Sequence, residues 1–139
     1  MKDNQIPEKI VKNMMENDYF SQWLGIEVLE TSESQSRLSM KVRKDMLNGF
    51  GILHGGITYS LADSALAFAS NAHNKKCVSI ETSISHIEVC RENDFLFTEV
   101  KEIKFSGKTG IYLIEIKNQD EQLVALFKGT VYITEKNWL

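Results

Sequence analysis

One carboxylate stands alone in an apolar run. Asp63 is flanked by Leu61, Ala62, Ala65 and Leu66, and taking a carboxylate out of water is costly unless it is paired or hydrogen-bonded. Such an acid is either held structurally, by backbone or by a neighbour across an interface, or kept for acid–base chemistry. The residues alone leave both roles open. Just upstream comes a glycine cluster, Asn48-Gly-Phe-Gly-Ile-Leu-His-Gly-Gly56, with Gly49, Gly51, Gly55 and Gly56 inside eight positions. Glycine lets a ligand approach the backbone closely, and a helix start offers unpaired N–H groups at the positive end of the helix dipole. Leu53-His54-Gly55-Gly56 at the head of a helix can therefore form an oxyanion hole for a carbonyl. A glycine turn that only redirects the chain would use the same residues.

The two features constrain each other. Gly55 and Asp63 lie eight residues apart, which is about 12 Å along a helix. One small reacting centre cannot touch both within a single chain. If both serve one carbonyl, Asp63 must come from a neighbouring copy whose helix lies alongside, so chemistry here predicts a two-fold oligomer with shared sites.

Other reactive types fit less well. His54, His73 and His86 lack metal-ligand spacing, and no Cys, Asp or Glu cluster completes a set, so no metal site is expected. Ser60 and Ser64 do not sit in a G-x-S-x-G elbow, which argues against a serine hydrolase. Ser106-Gly-Lys-Thr-Gly110 resembles the end of a phosphate loop, but Glu102 stands where that loop needs its first glycine and no helical pattern follows. As a turn between two strands, Gly107, Lys108 and Thr109 can still offer an ammonium and backbone donors to a phosphate. An ordinary hairpin with a solvated lysine has the same sequence.

The elements that must position these groups follow from periodicity. Pro7 opens a short amphipathic helix with Ile10, Val11, Met14 and Met15 at helical spacing, and residues 18–24 can add a turn before Gly25. Strands are expected at 26–35 and 36–42. The run from Ile57 to Asn74 reads as a helix apolar or small on every face, hence buried on all sides. Four more strands follow, at 77–89, 95–105, 110–118 and 122–134, with a hairpin at Asn118-Gln-Asp-Glu121. One long helix and about six strands give an α+β layout, an antiparallel sheet curled round a helix. The 139 residues fit one domain, 1–139, with a helical extension at about 7–24. Apolar residues at 42% and charged residues at 25% match a soluble globular chain. A net charge of −3 argues against a nucleic-acid binder. No apolar stretch has the length of a signal-peptide core or a membrane span, so no membrane partner is expected. Cys77 and Cys90, in strand-like sequence without a CxxC pair, suit a reducing compartment, and a cytoplasmic location is expected.

Asn48-Gly-Phe-Gly-Ile-Leu-His54-Gly55-Gly56 followed by Asp63, then Ser60-Leu-Ala-Asp-Ser-Ala-Leu-Ala-Phe-Ala69, the stretch around Ser106-Gly-Lys-Thr-Gly110 and the late Val124-Ala-Leu-Phe-Lys-Gly-Thr-Val-Tyr132 together resemble the hot-dog acyl-coenzyme A thioesterases of the PaaI-like family. The likeness runs over roughly residues 20–134. It implies a long helix wrapped by an antiparallel sheet, assembled as a dimer or a dimer of dimers (a homotetramer), and hydrolysis of an acyl-coenzyme A thioester. No cofactor is implied, since coenzyme A is part of the substrate. By the same resemblance Gly55 supplies the oxyanion-hole N–H, and Asp63 is the general base or the nucleophile towards a thioester held by the other subunit. Asn48 orients the thioester or the attacking water, His54 shapes the loop, and Ser79 helps hold the water. Gly107, Lys108 and Thr109 meet the nucleotide end of coenzyme A. To act as a base Asp63 must stay ionised, so polar neighbours or the dipole are expected to favour its charge. The chain departs from the pattern at His86, Glu88 and Val89, where members often carry aromatic, basic and proline residues, and at Ala67, a threonine in one branch. Phe50, Tyr59, Leu66 and Phe68 suggest an acyl pocket, though core packing explains them equally. A non-catalytic acyl-coenzyme A binding protein, and behind it an enoyl-thioester hydratase or dehydratase, remain as alternatives.

Overall fold

The computed structural model describes residues 5–139. Helix α1 (Ile6–Asn17) carries Pro7 in its first turn, where a fixed φ and a missing N–H cost nothing, and it buries Pro7, Ile10 and Val11. The expected extra turn is a separate helix, α2 (Tyr19–Leu24). Asp18 starts it, with Oδ1 accepting from Ser21 N–H at 3.0 Å and Oδ2 from the Ser21 hydroxyl at 2.6 Å. Gly25 stops it in the left-handed region, φ +75°.

Two strands follow, β1 (Glu27–Thr31) and β2 (Ser36–Lys41). The first is shorter than its sequence suggests, because Ser32 and Gln35 exchange backbone hydrogen bonds in a turn that ends it at Thr31; a bulge between Val28 and Glu30 shifts its register with β2. After a short 3-10 turn (Lys44–Met46) and the glycine loop comes α3 (Gly55–Asn71). Strands β3 (Cys77–His86), β4 (Phe95–Ser106), β5 (Thr109–Asn118) and β6 (Leu123–Ile133) complete the chain. The sheet order is β1-β2-β4-β5-β6-β3, and every neighbouring pair is antiparallel. Thus α3 carries the chain from β2 across the sheet to β3 at the far edge. Cys90 lies in the irregular segment between β3 and β4 rather than in a strand.

Helix α3 packs Leu61, Ala62, Ala65, Leu66, Phe68 and Ala69 into the core with strand residues such as Met40, Leu96, Tyr112, Ile114 and Phe127. At roughly 1.5–3 kcal/mol per large buried side chain, this stripe is the main force holding helix to sheet. Gly129 of β6 allows the close approach, since a Cβ there would lie 2.5 Å from Leu66 Cδ2. The helix is not buried on all sides within the chain. Asp63, Ser64, Ser60 and Ala67 are only half-buried and Gly56 is exposed. It also ends at Asn71, short of His73–Asn74, because the Asn71 side chain turns to the next strand: Oδ1 accepts from Cys77 N–H at 3.0 Å and Nδ2 donates to Ala67 C=O at 2.8 Å. No helix among the described residues is long and apolar enough to cross a membrane.

Candidate functional site

The loop before α3 is built by its own side chains. Asn48 Oδ1 accepts from Phe50 N–H at 2.9 Å and from Ile52 N–H at 3.4 Å. Asn48 and Ile52 also pair through the backbone at 2.8 Å, and Gly51 adopts φ +76°. Leu53 N–H donates to Cys90 C=O at 2.8 Å and His54 N–H to Met46 C=O at 2.9 Å, tying the loop to the body. His54 is the N-cap of α3, its Nδ1 accepting from Gly56 N–H at 2.9 Å. The cap occupies one of the open donors of the helix start and leaves Gly55 N–H at the end of the helix dipole. Gly55 has helical, not left-handed, backbone. Nothing in its backbone demands glycine, though a side chain there would press on what stands in front of it.

That space is a cavity of about 290 Å³ whose lining includes Asn48, Gly55, Thr58, His86, Glu88 and Cys90. Asn48 Nδ2 donates to no group among the described residues, so the amide can serve a ligand while its oxygen shapes the loop. In the sequence His86, at the end of β3, stands as a histidine without metal-ligand spacing and as a departure from the family pattern. The structure puts its ring against Gly55, with Nε2 3.0 Å from where a Cβ would be. No local signal reveals this, because the contact joins a strand end to a helix start.

Asp63 opens elsewhere. A separate cavity of about 50 Å³ is bounded by Asp63, Ala67, Ser70, Cys77, Ser79 and Val131. Ser79 and Asp63 are thus brought together, and both are kept apart from Asn48, Gly55 and His86. Burial pushes the Asp63 carboxyl above its ordinary value, and the negative charge of Asp18 adds to the rise. This corrects the expectation that neighbours or the dipole favour its charged form. The neighbour is acidic, and mid-helix the dipole has faded. Asp18 reaches this region because Ser21 bonds both to Asp18 and, at 2.8 Å, to the hydroxyl of Ser64 beside Asp63.

The Ser106–Gly110 stretch is a hairpin with Ser106 paired to Thr109 and Gly107 at φ +62°, the first of two turn positions, where such hairpins take glycine. Lys108 is exposed. Lys104, absent from the sequence candidates, points its ammonium at the same turn, 2.6 Å from Thr109 Oγ1 and 3.1 Å from Ser106 C=O. Across the sheet Ser79 pairs with Val131, which pairs with Gly110. The hairpin therefore sits at the Asp63 end of the sheet, whereas His86, paired with Ala125, marks the Gly55 end.

The suggested acyl pocket does not assemble. Phe50 is 90% exposed at the loop tip, while Phe68 and Leu66 are core residues at 0% and 1%. Tyr59 packs edge-on against Phe127, ring centres 5.5 Å apart. Burial pushes both thiols, Cys77 and Cys90, up to about 11, which leaves them protonated and poor nucleophiles. A cavity of about 580 Å³ between α1 and β1 contains none of the candidate residues.

The model of the thioesterase superfamily matches residues 50–125, a span that holds Gly55, Asp63, Ser79, His86 and the hairpin but not Asn48 or Val131. A putative esterase of Archaeoglobus fulgidus is 41% identical over 131 residues, covering 94% of this chain and 85% of that protein. The acyl-coenzyme A thioesterase PaaI of Escherichia coli is 38% identical over 117 residues, covering 84% and 83%. The solved structure of the E. coli PaaI protein from the phenylacetic acid degradation operon superposes with a TM-score of 0.95 at 31% identity, over 98% of this chain and 99% of that one.

Proposed function

Since the chain belongs to the thioesterase superfamily, as a PaaI-like hydrolase of the hot-dog fold, we propose that it hydrolyses an acyl-coenzyme A thioester at a site shared between two copies. The observation that carries this reading is the separation of Gly55, with Asn48, from Asp63, with Ser79, into two cavities on one helix. Each chain holds two complementary halves of a site and no complete one. A second copy with its α3 alongside, antiparallel, brings the Asp63 half of one chain to the Gly55 half of the other. The free edge strand β3 supports such pairing, since Val78 and Ile80 on it are 57% and 60% exposed.

In this arrangement Gly55 N–H receives the thioester carbonyl oxygen, and charge developing on that oxygen meets the positive end of α3. Asn48 Nδ2 orients the carbonyl. Asp63 of the neighbouring copy takes a proton from a water that Ser79 helps to hold, and the water oxygen attacks the carbonyl carbon. Collapse of the tetrahedral intermediate breaks the C–S bond, and the thiolate leaves with the electron pair. A thiol of this kind has a pKa of roughly 8.5, so its departure does not need a strong general acid. The raised affinity of Asp63 for a proton makes it a better base once ionised. His54 holds the loop, and Gly107, Lys108 and Thr109, together with Lys104, offer donors and positive charge to the phosphates of coenzyme A. No step calls on a metal or redox cofactor.

The experiment is thiol release from a panel of acyl-coenzyme A thioesters by wild type and Asp63→Asn. Wild type turns over, the best substrate identifies the acyl class, and the variant loses at least about 10²-fold, the scale of a lost acid–base group. Saturable binding with no turnover of any thioester would overturn the reading in favour of a binding protein.

A further inference from the structure

The chain has three histidines, and the fold accounts for two of them. His54 caps α3. His73 pairs with Glu102 and stacks on Phe105, ring centres 3.8 Å apart. His86 differs: its ring nitrogens make no hydrogen bond or ion pair among the described residues, and the residue is exposed. Its backbone is nonetheless fixed, because it closes β3 opposite Ala125 of β6. From there the ring reaches the start of α3. An ideal Cβ on Gly55 would lie 3.0 Å from His86 Nε2, 3.2 Å from Cε1 and 3.7 Å from Cδ2. The ring therefore presents its edge, nitrogen first, to the first residue of the helix.

This placement matters because both the Cα–Cβ direction and the N–H of a helical residue lean towards the helix start. The place a Cβ would take at Gly55 thus borders the place an oxygen takes when it accepts from Gly55 N–H. An oxygen held there is within hydrogen-bonding reach of His86 Nε2, and both residues line the same cavity. Building on the oxyanion-hole reading above, we propose that His86 is a further catalytic residue, which donates a second hydrogen bond from Nε2–H to the thioester carbonyl beside Gly55 N–H. No proton changes hands at His86: Asp63 takes the proton of water, and the imidazole holds the oxyanion until the C–S bond breaks.

The test uses His86→Gln, His86→Phe and His86→Ala in the full chain, beside wild type and Asp63→Asn. Loss of one preorganised oxyanion donor lowers kcat by about 10²-fold, with KM changed far less, because the bond strengthens in the transition state. Gln keeps an N–H donor and should recover part of kcat, whereas Phe keeps the ring volume without a donor and should fall with Ala. A packing role predicts the reverse order, Phe near wild type and Gln near Ala, and that result overturns the proposal while leaving the thioesterase reading intact. So does wild-type kcat in all three variants while Asp63→Asn is inactive. A wild type that turns over no thioester overturns the underlying reading and this inference with it.

Discussion

A mixture of two inactive chains should hydrolyse thioesters. Gly55→Val places a side chain in the cavity that Asn48 and Gly55 share. The three atoms nearest its Cβ outside its own helix all belong to the exposed His86 ring, the first at 3.0 Å, so the ring can move and the helix keeps its backbone. Asp63→Asn removes the proposed base with almost no change of volume. Each variant alone should lose about 10²-fold or more. Gly55 and Asp63 lie eight residues apart, about 12 Å along α3, so on the proposed mechanism each site takes one from each copy. A mixed pair then contains one site with both groups intact and one with both damaged. After refolding of equal amounts, half of the pairs are mixed and half of their sites work, so the mixture reaches about a quarter of the wild-type rate at unchanged KM. The same fraction holds for a dimer of dimers, because the pair is the catalytic unit. Co-expression under two affinity tags isolates the mixed pair itself, which should run at about half the wild-type rate. The assay is thiol release, with far-ultraviolet circular dichroism to show that each parent is folded. A mixture no faster than the sum of its parents would place both groups in one chain and refute the shared site.

Further outcomes follow from the surroundings of these residues. Asp18→Asn keeps the cap of α2 but removes the charge that, after burial, holds the Asp63 carboxyl up, so the acidic limb of the kcat/KM profile should move to lower pH; a limb that stays put refutes the coupling. The folded chain binds the Asp63 proton more tightly than the unfolded chain, whose value is 3.8, so ionising Asp63 destabilises the fold as pH rises from there through the folded value. Asp63→Asn should therefore melt higher than wild type at pH 7, with the gain vanishing below the unfolded value. Lys108→Ala should raise KM up to about five-fold for an acyl-coenzyme A but not for an acyl-pantetheine lacking the nucleotide phosphates, and added salt should erase the difference. Gly129→Ala forces a methyl to within 2.5 Å of Leu66 Cδ2, buried at 1% exposure, and should cost about 1–3 kcal/mol in denaturant melts.

What could be read from the sequence was local. The start of α3 announces itself because two glycines and an apolar run are contiguous, though His54 as its cap does not. The hairpin at Gly107 and Lys108 does so because a two-residue turn carries its own glycine. The layout of one helix and six strands followed from periodicity. What stayed hidden depends on side chains meeting across elements. His86 meets Gly55 only because β3 ends beside the helix start. Asp18 perturbs Asp63 only because Ser21 and Ser64 join α2 to α3. The supposed acyl pocket failed for the same reason: Phe50, Leu66 and Phe68 share an apolar character in sequence but point to solvent and to the core in the fold. The helix also stops early at Asn71, since a side-chain bond to Cys77 competes with another turn.

On the proposed mechanism, the two tasks of the reaction explain why one helix carries both groups yet keeps them apart. Stabilising an oxyanion needs the positive end of the dipole and open N–H groups, which exist only in the first turn. A carboxylate placed there would have its charge stabilised, would be a weaker base, and would occupy the donors meant for the carbonyl. Two turns further on the dipole no longer lowers a pKa, and at Asp63 burial and Asp18 together raise it. On the proposed mechanism the base gains proton affinity two turns away from the hole it must serve. A single helix cannot bring the two together, but two copies of it side by side and antiparallel can. On this reading oligomerisation is the means by which the electrophile end and the basic middle of the same helix reach one carbonyl.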